Sequence, residues 1–446
     1  MESSSPAGNV ISSAGTLSPL ATWSRSNLAF SQLLLWLEQQ RRPSFVLSPL
    51  LLSVTFLDSI DTRCFRNAFQ SVVDRSDALR SVFVEEAGIP QRHVLPQLPM
   101  AMNVVDLSAT YSPPAAFEQW SAERNLRTLS PLSRPFDSTL VRIGERHLVW
   151  RLAAHRLIAD TRSMLLLYLR TAEAYNALLE GAAGVLPVLP AYKDYVPFER
   201  GRTASAMESA VLSSHKPNAR QAIPVPFAGE RYVMDLGAER TRALRKAACE
   251  VAARGVEHNA ALFLVCAAAL ATLLIEQRGC RTIVIDTELD RRHTGPWQET
   301  IGRISQPCSL TLAAEEGETP GRMLAKLVEI WQKVHLQVQI APIGERPAGA
   351  CRALLHVDDT TFPNFAGIPA KVERFDVCYS QRKPRDIKSA STMPGICLQI
   401  DSFGSDKNFK AIFTYCSGAT ATRYGPEAGD RYLRLLDMLL QACEQP

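Results

Sequence analysis

Apolar and polar positions follow a regular pattern along most of this chain, and the pattern is sharpest between residues 147 and 181. His147 to Ala154 (HLVWRLAA) has no polar face beyond Arg151, which predicts a strand buried on both sides. From Ser163 to Glu180, Leu165, Tyr168, Leu169, Ala172, Tyr175 and Leu179 recur every three or four residues and predict a helix, with Gly181 as a left-handed stop. Strand, tight turn and helix therefore converge on AAHRLIADTRS. Upstream, LAFSQLLLWLEQQ reads as a helix, Phe45 to Leu57 as a strand and Thr62 to Val73 as a helix. Gln91 to Leu107 reads as an edge strand and turn, and Pro113 to Arg127 as a helix. Downstream come a strand near Tyr232 and a helix from Glu239 to Ala253. An apolar helix from Ala260 to Ile275, closed by Gly279, precedes a strand from Thr282 to Ile285, and a last helix spans Ala428 to Ala442.

At 446 residues the chain is long for one core, which predicts two lobes. Residues 1–22 are a Ser/Ala/Gly/Pro tract that reads as a flexible tail. Residues 23–181 form the first lobe and 230–446 the second. Residues 182–229, richer in proline, glycine and serine, read as a linker that clasps the two.

Composition narrows the function. With 49 Lys+Arg against 45 Asp+Glu, and no basic block, nothing points to nucleic acid. The longest uncharged apolar run, Ala260 to Ile275, is short for a membrane span and reads as a core helix. No Lys or Arg precedes Arg25 and no apolar segment accompanies it, against a secretory signal. The ten cysteines show neither CxxC nor zinc-finger spacing, so a cytoplasmic protein with reduced, buried cysteines and no metal is expected. Phosphate loops, HExxH and GxSxG are absent.

The junction therefore holds the concentrated chemical signal: His155, Arg156, Asp160 and Ser163 on rigid flanks, at a helix N-terminus that favours negative charge. Two readings stand at this point. The cluster is a reaction site, or Asp160 is an N-cap and His155 a satisfied core histidine.

HRLIADTRS resembles the HHxxxDGxS signature of condensation domains of non-ribosomal peptide synthetases. Arg156 stands in the place of the second histidine and Thr161 in that of glycine. Other fragments follow in the family's order. Gln32 and Trp36 match the opening SxAQxRLWFL motif, and Arg75, Leu79, Arg80 and Phe83 match RHxxLRTxF, with Arg80 read as a structural ion-pair donor. Tyr192, Asp194, Tyr195 and Phe198 fall on YxDYAxWQ. Ile301 and Gly302 keep IGxFVNTLPLRL, with Gln306 in the asparagine position. QVQIAP, ERFDVCYS (through Phe375 and Asp376) and FTYCSGATATRYG resemble the later motifs.

The resemblance implies an α/β fold: a V-shaped pseudo-dimer of two chloramphenicol acetyltransferase-like lobes around a central tunnel. It implies no cofactor bound directly, but substrates presented on the 4'-phosphopantetheine of an acyl or peptidyl carrier protein. A small-molecule or carrier-bound amine or hydroxyl attacks the donor thioester. It also implies that Asp160 pairs with an arginine, for which Arg292 is the candidate, and that Ser163 supports the motif. The second histidine of the family positions or deprotonates the nucleophile, and Arg156 cannot accept a proton.

Three readings follow. One is acyl transfer with His155, shifted by a bulge at the strand end, or a substrate group standing in for the base, and with Arg156 as oxyanion donor. Another is a non-catalytic module that recruits a tailoring enzyme, similar to the X domain of glycopeptide synthetases, whose motif also reads HR before the aspartate. The third is variant cyclisation or dehydration chemistry. With no adenylation or carrier segment attached, action in trans is expected.

Overall fold

The computed structural model describes residues 24–41, 49–99, 102–182 apart from 126 and 128, 186–202 apart from 187, 230–336 apart from 293, 294 and 316, 350–374, 396–402, 408–415 and 426–444. The tail at 1–22 and the fragments QVQIAP and Phe375–Asp376 lie outside them.

In the first half, helices α1 (Phe30–Arg41), α2 (Thr62–Arg75), α3 (Pro113–Asn125) and α4 (Thr161–Leu179) accompany strands β1 (Leu50–Phe56), β2 (Ser81–Glu86), β3 (Ile89–Val94), β4 (Met102–Asp106), β5 (Phe136–Gly144) and β6 (His147–Ala154). Strand β6 is central because its side chains are apolar on both faces: after His147 every residue is buried. It pairs antiparallel with β1 and β5. Helix α2 starts where Asp61 accepts from the Cys64 N–H at 2.8 Å, and it turns Phe65, Phe69 and Val72 inward. There Phe65 and Phe69 meet Trp150 edge-on, with ring centroids 5.2 and 5.7 Å apart.

Between the halves lies helix α5 (192–202), and the second half carries α6 (Gly237–Ala252), α7 (His258–Arg278), α8 (Pro320–Leu336) and α9 (Pro426–Glu444). Its strands are β7 (Glu230–Asp235), β8 (Thr282–Leu289), β9 (Gln306–Ala313), β10 (Cys351–Asp358), β11 (Ala370–Arg374), β12 (Ile396–Asp401) and β13 (Lys410–Tyr415). A six-stranded sheet runs β7-β13-β12-β10-β8-β9, parallel among β8, β10 and β12. Helix α7 is apolar all round because it is the core of this half: Ala260 to Leu274 are all buried. Gly279, at φ 60°, ends it.

Three observations depart from the sequence reading. Strand β11, from the second half, adds to the first sheet beside β1, giving the order β11-β1-β6-β5-β4; the division at residue 230 is thus crossed by the chain. The segment read as linker contains α5, whose Tyr192 and Tyr195 are buried in the first core. Cys280 and Cys351 lie side by side, their Cα atoms 6.1 Å apart, where no pairing of cysteines was expected. The turn after α7 brings Cys280 to the start of β8, and β10 begins beside it with Cys351 opposite Ile283.

Candidate active site

Strand β6 keeps its register with β1 and β5 through Ala154, which faces Leu50 and Phe136. The irregularity in β5 lies at Arg142–Gly144, at the other end, so no bulge displaces the residues that follow Ala154. His155 is 3% exposed, and its N–H donates to the Pro135 carbonyl at 2.8 Å. Its Nδ1 accepts from the Leu157 N–H at 3.1 Å, so the neutral ring carries its proton on Nε2. Burial, reinforced by the positive charges of Arg156 and Arg303, pushes its pKa down to about 4. A ring whose free lone pair is already engaged, and whose cation is disfavoured, is a poor proton acceptor. Gln32 steadies the same turn by donating to the Leu157 carbonyl at 2.7 Å.

Asp160 caps α4 by accepting from the Ser163 N–H at 2.9 Å. It is also the anchor of a buried knot between the two halves of the chain. Arg292 grips it bidentately, Nη1 to Oδ2 and Nη2 to Oδ1, both at 2.9 Å. The N–H groups of Ile304 and Ser305 donate to Oδ2 at 2.9 Å. Burial would raise the carboxyl pKa, but Arg292 and these donors outweigh it and hold Asp160 below the usual carboxylate range. Ser163 Oγ lies 2.7 Å from Asp160 Oδ1 and 2.8 Å from the Gly302 carbonyl, and it accepts from the Gly302 N–H at 3.0 Å. The geometry thus joins Asp160, Ser163 and Arg292 and makes the N-cap only part of Asp160's bonding.

The segment before β9 is pressed in by α5. A Cβ on Gly302 would stand 2.0 Å from the Tyr192 ring, so only glycine fits there. The Tyr192 hydroxyl donates to the Arg303 carbonyl at 2.7 Å. Gln306 donates to Glu199 at 2.9 Å, and Glu199 in turn accepts the Phe30 N–H at the start of α1 at 2.7 Å. Arg80 is not part of this assembly. It donates to the Leu95 and Pro96 carbonyls between β3 and β4, not to the carboxylate partner expected of an ion-pair donor, because β3 ends beside it.

Arg156 is buried, and its positive charge acts on a cluster the sequence reading did not find. Glu288, near the end of β8, accepts from Arg303 Nη2 at 2.9 Å. Burial alone would raise the Glu288 pKa; Arg303, then Arg156, and more weakly His356, pull it down. Arg303 Nε and Nη1 are buried and have no hydrogen-bond partner among the described residues. Arg303 thus pairs with a buried carboxylate close enough to the motif for the Arg156 charge to act on it.

Residues 28–337 match the profile of the condensation domain. The chain belongs to this family. It is 26% identical over 317 residues to phosphinothricin tripeptide synthetase of Streptomyces viridochromogenes, covering 67% of this chain and 28% of that protein. It is 27% identical over 306 residues to an isonitrile lipopeptide synthase of Mycobacterium tuberculosis, covering 62% of this chain and 12% of that one. The matched region spans 28% and 12% of the length of these relatives.

In structure it is similar to the first condensation domain of the calcium-dependent antibiotic synthetase in complex with a substrate analogue. The TM-score is 0.71 at 21% identity, covering 93% of this chain and 96% of that one. A starter condensation domain of rhizomide synthetase gives 0.72 at 17% identity, covering 96% and 98%. The condensation domain here has the α/β, chloramphenicol acetyltransferase-like fold of these neighbours.

Proposed function

We propose that this condensation domain transfers an acyl group from a carrier-protein thioester to an amine, with Arg156 stabilising charge where the family has a basic histidine. The amine nitrogen bonds to the thioester carbonyl carbon and the C–S bond breaks. The proton lost by nitrogen ends on the phosphopantetheine thiol, leaving an amide and a free carrier thiol. The observation that carries the reading is the intact knot around Asp160: the turn is held in the second half by Arg292, Ile304 and Ser305, although its tip is substituted. A desolvated guanidinium on so rigid a turn suits an oxyanion better than a proton. The donor on an acyl or peptidyl carrier protein, and a small-molecule or carrier-bound acceptor, follow from the family's substrates.

A second reading, recruitment without transfer, is favoured by the engaged Nδ1 of His155, which leaves the motif without a proton acceptor. Incubating the protein with acyl-loaded carrier and an amine, followed by mass spectrometry over time, separates the two. Amide and free carrier above the protein-free control, lost in Asp160→Ala, support transfer. Carrier binding without product supports recruitment and refutes transfer.

A further inference from the structure

Away from the motif, the first half carries a cavity of about 800 Å³ between α2 and the segment that joins β3 to β4. Helix α2 turns Phe65, Phe69 and Val72 into the core, so Arg63, Arg66, Asn67, Gln70 and Asp74 share the opposite face and form one wall. Pro96, Gln97, Pro99 and Met102 form the other. The second wall is pinned at its carbonyls. Gln70 Nε2 donates to that of Leu98 at 3.0 Å, Arg80 Nη1 to that of Pro96 at 3.0 Å, and Arg134 Nη2 to that of Pro99 at 2.9 Å. The cavity is therefore formed in advance, and its size falls in the range of about 300–1,000 Å³ found for small-molecule sites.

Its charges lie at opposite ends. Arg63 and Arg66 stand side by side at the start of α2, and neither makes a hydrogen bond or ion pair with another described residue. The nearby carboxylates are engaged elsewhere. Asp61 accepts from the Cys64 N–H at 2.8 Å as the helix cap, and Asp74, about 12 Å beyond Arg66 along the helix, accepts from Gln70 Nε2 at 2.8 Å. Two cations at i and i+3, in a first turn without an acidic residue, repel each other and the positive end of the helix dipole. A bound anion relieves both repulsions.

We infer that this cavity binds a small molecule bearing a phosphate monoester, its phosphate bridging Arg63 and Arg66. One guanidinium suffices to fork a carboxylate; two on one face suit a group with three acceptor oxygens and nearly two negative charges. The volume far exceeds a bare phosphate, so the ester carries an organic body. Pro96, Pro99 and Met102 cover its apolar part, and the Asn67 and Gln97 amides meet its polar groups. Asp74 repels the phosphate from the far end and so sets the ligand's direction. The site shares no residue with the turn from His155 to Ser163, so it stands whether or not the protein transfers an acyl group.

Isothermal titration calorimetry with phenyl phosphate, inorganic phosphate and benzoate as probes tests the inference. Phenyl phosphate is expected to bind saturably at one site, more tightly than the other two, and to weaken as sodium chloride is added. Arg63→Gln and Arg66→Gln, each checked for folding by circular dichroism, are expected to weaken it about 10-fold. Arg66→Lys, which keeps the charge but not the fork, is expected to weaken it less, and Asp74→Asn to tighten it. No saturable binding of phenyl phosphate by the wild type, or wild-type affinity in a folded Arg63→Gln/Arg66→Gln double variant, would overturn the site. Benzoate binding as tightly as phenyl phosphate would overturn the phosphate assignment, and inorganic phosphate doing so would overturn the organic body.

Discussion

Replacing Asp160 by asparagine tests whether the two halves of the chain are held together at the motif. The carboxylate receives both guanidinium nitrogens of Arg292, the Ser163 N–H and the N–H groups of Ile304 and Ser305, all without solvent. Asparagine keeps one acceptor oxygen and turns an NH₂ toward groups that are themselves donors. It also leaves the Arg292 charge, 3% exposed at its side chain, with Asp290 alone as a carboxylate partner among the described residues. Breaking a buried pair from one side costs about 3–5 kcal/mol. Unfolding entropy of about 2.1 cal/mol/K per residue gives about 0.9 kcal/mol/K for cooperative unfolding of 446 residues. The melting temperature should therefore fall by about 3–5 °C. Differential scanning calorimetry of Asp160→Asn beside Asp290→Asn makes the comparison. Asp290 is a half-exposed partner of the same arginine, and its loss should cost less than about 1 °C. Equal, small shifts for both variants would refute the claim that Asp160 anchors the knot.

Two further outcomes follow from the geometry. With His155 at about 4 in the fold against 6.5 when unfolded, the unfolded chain binds the proton first as pH falls. Stability is thus lost between about pH 6.5 and 4, by roughly 3 kcal/mol, and calorimetry across that window should show a flatter curve for His155→Asn. Gly302→Ala should lower stability by about 1–3 kcal/mol, because its Cβ would overlap the Tyr192 ring. The cost should shrink when Tyr192→Ala is added, and additive effects of the two in calorimetry would deny the contact.

The sequence carried the strand and helix around the motif because each has a full period of apolar positions, and the cap followed from an aspartate just before the helix. Pairing Asp160 with Arg292, 132 residues away, came from resemblance, since local pattern says nothing about such a distance. Strand β11 was invisible because AKVER is a short edge with charges at alternate positions and no apolar run. Helix α5 hid in a segment whose average composition is that of a loop, although Tyr192 and Tyr195 already stand one helical turn apart. Glu288, Arg303 and His356 escaped because each sits singly, on a different stretch of chain. Register between β8 and β10 sets His356 level with Glu288, and Arg303, next to Gly302, meets that carboxylate. The alternation of His356 and Asp358 in ALLHVDD was the available signal: polar side chains on one face of a strand whose other face is apolar.

The functional account depends most on the charge at position 156. Comparing single-turnover acyl transfer by the wild type and by Arg156→Gln, with the same loaded carrier and amine, measures it directly. Loss of a positioned charge donor predicts a fall of about 10²- to 10³-fold in the rate, measured on a variant shown to be folded by circular dichroism. An Arg156→Gln variant that transfers as fast as the wild type would contradict it.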